Sequence, residues 1–146
     1  MKKGELVQRY NELNAVKDLT GVQLLYAVKR NKDILKPIVD QLHHSVLIPA
    51  SDDYIKYEEE VMKLTGDESA IKDLMTVNKD VIDKRNVDIK EYNKIMLTDY
   101  DEPVKVFYIP LSIAPSTQEQ FDAISFMIKD ITEEQETSFN ELFKDL

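Results

Sequence analysis

The chain has 146 residues, with 19 Lys+Arg against 28 Asp+Glu and a formal net charge of −9. That length suits one domain, 1–146, and 42% hydrophobic residues are enough to close one core. The acidity argues against direct nucleic-acid binding, which needs Lys and Arg to displace phosphate counterions, and the absence of cysteine excludes disulfides, cysteine-ligated metal centres and thiol nucleophiles.

A first helix is predicted from about Lys3 to Val16, because Leu6, Tyr10 and Leu13 recur at four and three residues and share a face. Thr20 and Gln23 form a capping-box pattern for a second helix. Along it Leu24, Val28, Asn31, Leu35, Ile38 and Leu42 alternate fours and threes, and Leu25, Ile34, Val39 and Val46 widen the stripe. Pro37 removes a backbone donor and crowds the preceding turn, so a kink or break is expected near Asp33 to Pro37.

Pro49 ends that segment, and Ser51, Asp52 and Asp53 are N-cap candidates for a third helix carrying Tyr54, Tyr57, Val61 and Leu64 on one face. Gly66 suits its C-terminal cap. Ile71, Met75, Asn78, Ile82, Arg85, Ile89, Tyr92 and Met96 then predict one long fourth helix of roughly 40 Å.

At Asp101, Glu102 and Pro103 the pattern changes. Val104, Lys105, Val106, Phe107, Tyr108 and Ile109 are rich in β-branched and aromatic residues and show no helical stripe, which predicts a strand. Its bounding prolines, Pro110 and Pro115, make it an edge strand or extended arm in search of a partner. Ser116 and Glu119 form a second capping-box pattern, opening a helix with Phe121, Ile124, Ile128 and Ile131 on one side. The acidic cluster Glu133, Glu134 and Glu136 leads into Phe139, Leu142, Phe143 and Leu146 at helical spacing. The expected fold is α+β and predominantly α-helical: antiparallel amphipathic helices with a small β element near 104–109, and 132–146 as a candidate docking tail.

Little here suggests catalysis. Only three glycines occur, too far apart to cradle a phosphate, so nucleotide fingerprints are excluded. His43 and His44 are adjacent, point about 100° apart on a helix and cannot chelate one metal from the same face. The acidic runs are read as solvated helix faces, and no serine sits in a glycine-flanked elbow. No catalytic residue, metal ligand or cofactor is assigned, and the chain is expected not to be an enzyme.

Interaction residues are better marked. Phe107 and Tyr108 offer aromatics of the kind that anchor interfaces, and Phe139, Leu142, Phe143 and Leu146 form an apolar stripe able to dock into a groove. Asn31 and Asn78 are polar positions in apolar seams, where such residues fix helix register and oligomeric state. The N-terminus turns amphipathic at once and no run of 18 apolar residues occurs, so a soluble, unsecreted protein with no membrane partner is expected.

Several segments carry a resemblance. Lys3-Gly4-Glu5-Leu6-Val7 with Tyr10-Asn11-Glu12-Leu13, the stretch Ala27 to Leu35, and Val106 to Leu111 leading through Pro115 to Phe126-Met127-Ile128 resemble a family of short phage-encoded proteins. The middle, from Pro49 to Asn93, lies outside the match. The resemblance implies a phage or prophage origin and a virion, assembly or host-interference role, in the host cytoplasm or the virion, with no catalytic residues to carry over. Two functions follow as expectations: an assembly component that self-associates or binds another phage or host protein, and an acidic inhibitor of a host protein, such as a nucleic-acid-binding or defence protein.

Overall fold

The computed structural model describes residues 1–144. Among them the protein is predominantly helical, with seven α-helices: α1 (Lys3–Ala15), α2 (Val22–Val46), α3 (Asp52–Lys63), α4 (Glu68–Val77), α5 (Lys79–Met96), α6 (Gln118–Ile124) and α7 (Glu133–Glu141). Short 3-10 turns cover Leu111–Ile113 and Ser125–Met127.

The central element is α2, a 25-residue helix whose inner face buries Leu24, Ala27, Val28, Asn31, Leu35, Val39 and Leu42. Its outer face carries the one-turn ion pairs Lys29–Asp33 at 3.3 Å and Lys36–Asp40 at 2.8 Å. Of the kink or break expected near Asp33 to Pro37, the break does not occur: the helix runs through Pro37. Pro37 is on the exposed side, where the Asp33 carbonyl it deprives of an amide can be hydrated. The start also differs: Gly21, at φ +96°, is the N-cap in place of Thr20, and no side chain caps the first turn.

Against α2 lies α1, whose Leu6 and Leu13 are fully buried. Its start is tied to the end of α5 by Lys3 N–H donating to the Thr98 carbonyl and Tyr100 N–H to the Met1 carbonyl, both at 3.0 Å. Gly4 makes this approach feasible, because a β-carbon there would sit 3.0 Å from the Met96 carbonyl oxygen.

Helices α3 to α5 follow as a separate group. Ser51 Oγ accepts from Tyr54 N–H and Asp67 Oδ1 from Ala70 N–H, so both starts are capped by side chains. The single long helix expected over 71–96 is two helices, divided at Asn78 (φ −100°, ψ 20°). Asn78 Nδ2 donates to the Leu74 carbonyl at 2.9 Å, a local bond that competes with helix continuation. Together α3 and α4 contribute no buried residue, and α5 contributes only Met96.

The β element expected at 104–109 does not form as a strand among the described residues. The segment is not helical either, and its sole β pairing is an isolated parallel bridge between Ile109 and Ile128. A side chain supplies the pairing that a second strand would have supplied. Phe107 N–H donates to Asn31 Oδ1 at 2.8 Å, and Asn31 Nδ2 donates to the Phe107 carbonyl at 2.9 Å. Ile109, two residues on, uses the same edge, donating to the Met127 carbonyl at 2.8 Å and accepting from Lys129 N–H at 3.0 Å.

That bridge also explains the shortness of α6. Its cap is Thr117, whose Oγ accepts from Gln120 N–H, one residue beyond the expected Ser116. The helix stops at Ile124 and tightens into the Ser125–Met127 turn, so that Ile128 joins Ile109 and does not continue a stripe to Ile131. A capping box between Thr132 and Gln135 then opens α7. Leu6, Leu13, Leu24, Ala27, Val28, Leu35, Ile109, Ala123, Ile124, Met127 and Phe139 form one continuous core. No helix among the described residues is long and apolar enough to cross a membrane.

Candidate functional site

Three of the aromatic residues singled out in the sequence meet inside the chain. Phe107 and Phe139 stack with ring centroids 5.9 Å apart, and Phe139 and Phe143 meet edge to face at 5.2 Å. Tyr26 of α2 completes the cluster, 5.6 Å from Phe107 and 5.3 Å from Phe143. The Arg30 guanidinium covers the Phe107 ring at 4.9 Å. Phe139 is only 5% exposed and Phe143 packs against the core, so these two residues of the tail's apolar stripe are covered by their own chain. Leu146 lies outside the described residues.

Tyr108 and Leu142 differ from these, at 41% and 55% exposed. They flank a groove of about 410 Å³ between the extended segment and α7, also lined by Val106, Lys129, Ile131 and Ser138. The Lys129 ammonium stands over the Tyr108 ring at 5.0 Å. The backbone edge of this segment is used on one side only. Phe107 and Ile109 are bonded to Asn31 and to the Met127–Lys129 turn, whereas Tyr108 N–H and C=O and the Val106 carbonyl have no hydrogen-bond partner among the described residues.

The two asparagines occupy unlike positions. Asn31 is 1% exposed and spends its amide on Phe107, with Nδ2 also 3.4 Å from Met127 Sδ. Asn78 is half-buried at the α4–α5 junction and bonds within its own turn. Sequence periodicity assigned both to a helix seam and gave no sign that Asn31 would grip a segment 76 residues away.

A second region was not foreseen. Met62 is 76% exposed, Val77 83%, Val87 60% and Leu97 69%, and all belong to the α3–α5 group or its end. The signal available was that these apolar residues fall outside the stripes read along those helices. Arg85 of α5 ties the group to the connection after α2: its Nη1 donates to the Ile48 carbonyl at 2.6 Å while its guanidinium lies 5.8 Å from the Tyr54 ring centroid. Burial, reinforced by the neighbouring Glu58, holds the Tyr54 hydroxyl above its ordinary pKa.

Elsewhere the geometry offers little for chemistry. His43 is half-buried and His44 exposed, both in the last turn of α2. A cleft of about 330 Å³ between α1 and α6 holds Glu12, Glu119 and Asp122 with Arg9, which pairs with Glu12 at 3.4 Å. Neither there nor elsewhere among the described residues do three or more His, Cys, Asp or Glu side chains gather so as to hold a metal ion. No protein-family model, curated protein or solved structure matches the chain.

Proposed function

We propose that the protein is a non-enzymatic interaction component that acts by helical self-association, with the α3–α5 group as its contact surface. The observation that carries this reading is that α3 and α4 bury no residue within the chain, while Met62, Val77 and Val87 stand 60–83% exposed. Large apolar side chains left in water along three adjacent elements are what association would cover. The resemblance to short phage-encoded proteins makes virion assembly the setting in which to look for it.

The test is solution mass by light scattering on a sizing column, for the native chain and for M62K/V77K/V87K. A defined oligomer whose mass the triple variant lowers, with helical circular dichroism retained, is the expected result. A native chain that stays monomeric up to high concentration would defeat the reading.

One further observation supports a second reading, an acidic inhibitor of a host protein. The ion pairs among the described residues engage Glu12, Asp33, Asp40 and Asp99, which leaves most of the described carboxylates outside any ion pair. Such a surface would present negative charge to a basic partner, and its capture of that partner would weaken as salt rises.

A further inference from the structure

An extended segment with one satisfied edge and one open edge is half of a β-ladder. Around Phe107 the inner edge is closed by the Asn31 amide and by the Ile109–Ile128 bridge. On the outer edge, Tyr108 N–H, Tyr108 C=O and Val106 C=O have no partner among the described residues. The remaining outer group, Val106 N–H, folds back onto the Val104 carbonyl at 3.1 Å, a contact within three residues that pairing could replace.

We infer that this edge pairs antiparallel with the same edge of a second copy of the chain, about a two-fold axis beside Phe107. In that register Val106 lies opposite Tyr108 of the partner subunit, and Tyr108 opposite Val106 of the partner subunit. Each Tyr108 N–H then donates to the partner's free Val106 carbonyl, so a donor and an acceptor left over in one chain complete each other in two. Val106 and Tyr108 share one face of the segment, and the register stacks a half-buried valine on a 41%-exposed tyrosine, an aromatic and β-branched cross-strand pair. Pro103 and Pro110 bound the segment, and Pro110 has no N–H to donate, so the ladder stops after a few residues and does not propagate into a continuous sheet. A net charge of −9 on each copy opposes the approach, so the pairing strengthens as salt rises.

This contact rests on the self-association proposed above, but it uses a different surface from α3–α5, and the two are separable. The native chain is compared by light scattering with V106E/Y108E and V106K/Y108E, each checked for native circular dichroism. Both variants lose the same apolar side chains. The first places carboxylate against carboxylate across the axis, and the second places ammonium against carboxylate. We expect V106E/Y108E to halve the mass of the assembly and V106K/Y108E to retain it, with M62K/V77K/V87K leaving the edge contact in place. Equal dissociation of the two edge variants, or no loss in either, would overturn the register. Hydrogen exchange on the native chain supplies a readout that needs no variant. The Tyr108 amide is expected to gain protection as concentration rises, and an amide equally exposed at all concentrations would refute the pairing.

Discussion

Asn31 and Phe107 are joined by a reciprocal pair of hydrogen bonds, in which the side-chain amide of one accepts at 2.8 Å from the backbone N–H of the other and donates at 2.9 Å to its carbonyl. The amide thereby stands in for a peptide unit of a neighbouring strand. Because Asn31 is buried in the middle of α2, the contact anchors the whole 104–109 segment on the core. Replacing Asn31 by Ala leaves both Phe107 groups without partners at about 1–3 kcal/mol each, so a loss of about 2–6 kcal/mol in unfolding free energy is expected by urea denaturation.

N31D separates shape from chemistry. An ionised carboxylate can accept from Phe107 N–H but meets the Phe107 carbonyl with a second acceptor, whereas the protonated acid can donate to it. Burial and the missing donor raise the folded-state pKa of the new acid above its unfolded value of about 3.9. Its contribution to stability is therefore fully present below that unfolded value and is lost as pH rises through the folded pKa. Relative to the native chain at each pH, N31D is expected to be less stable at pH 7 than at pH 4, and a pH-independent difference would contradict this account.

In the tail, Phe139 and Leu142 are expected to behave oppositely. Phe139 is enclosed by Phe107 and Phe143, and F139A should cost about 3–5 kcal/mol by leaving a cavity. Leu142 is 55% exposed, and L142A should stay within about 0.5 kcal/mol of the native chain in the same denaturation experiment.

Gly4 is constrained by its neighbour. Helix propensity alone favours G4A by up to about 1 kcal/mol, but the new β-carbon would press on the Met96 carbonyl oxygen at 3.0 Å. No net stabilisation is expected from G4A, and G4V should lower stability by about 1–3 kcal/mol, read as a shift in denaturation midpoint.

Native-state hydrogen exchange should divide the molecule. Amides of α2, whose inner face buries seven residues, are expected to exchange only through global opening, while those of α3 and α4 exchange through local opening at lower free energy. Equal protection across these helices would show that the α3–α5 group is held more firmly than its burial indicates.

Much of the helical framework was legible in the residues. The stripe of Leu6, Tyr10 and Leu13 marked α1, the fours and threes from Leu24 to Leu42 marked α2, and Ser51 marked the start of α3. Such signals act over three or four residues and are satisfied within a single turn, so they survive without knowledge of the rest of the chain. Caps were less secure: Gly21, at a positive φ, took the place of Thr20 with no side-chain cap, and Thr117 took the place of its neighbour Ser116, which offers the same hydroxyl to the first-turn amides.

Composition and local pattern by themselves determined that the protein would be mainly helical, acidic and without thiol chemistry. Tertiary structure alone decided the fate of the polar and extended residues. Asn31 read as a helix-seam residue because periodicity reports which face a residue lies on, and carries no information about the partner that reaches that face. Val104 to Ile109 read as a strand because β-branched and aromatic residues favour extended backbone. Whether extended backbone becomes a ladder depends on what lies alongside it, and here that was an amide 76 residues away. Phe139 and Phe143 likewise looked like an uncovered stripe until α7 folded onto Phe107 and Tyr26. Burial is a sum over distant segments, and only the folded chain brings those segments together.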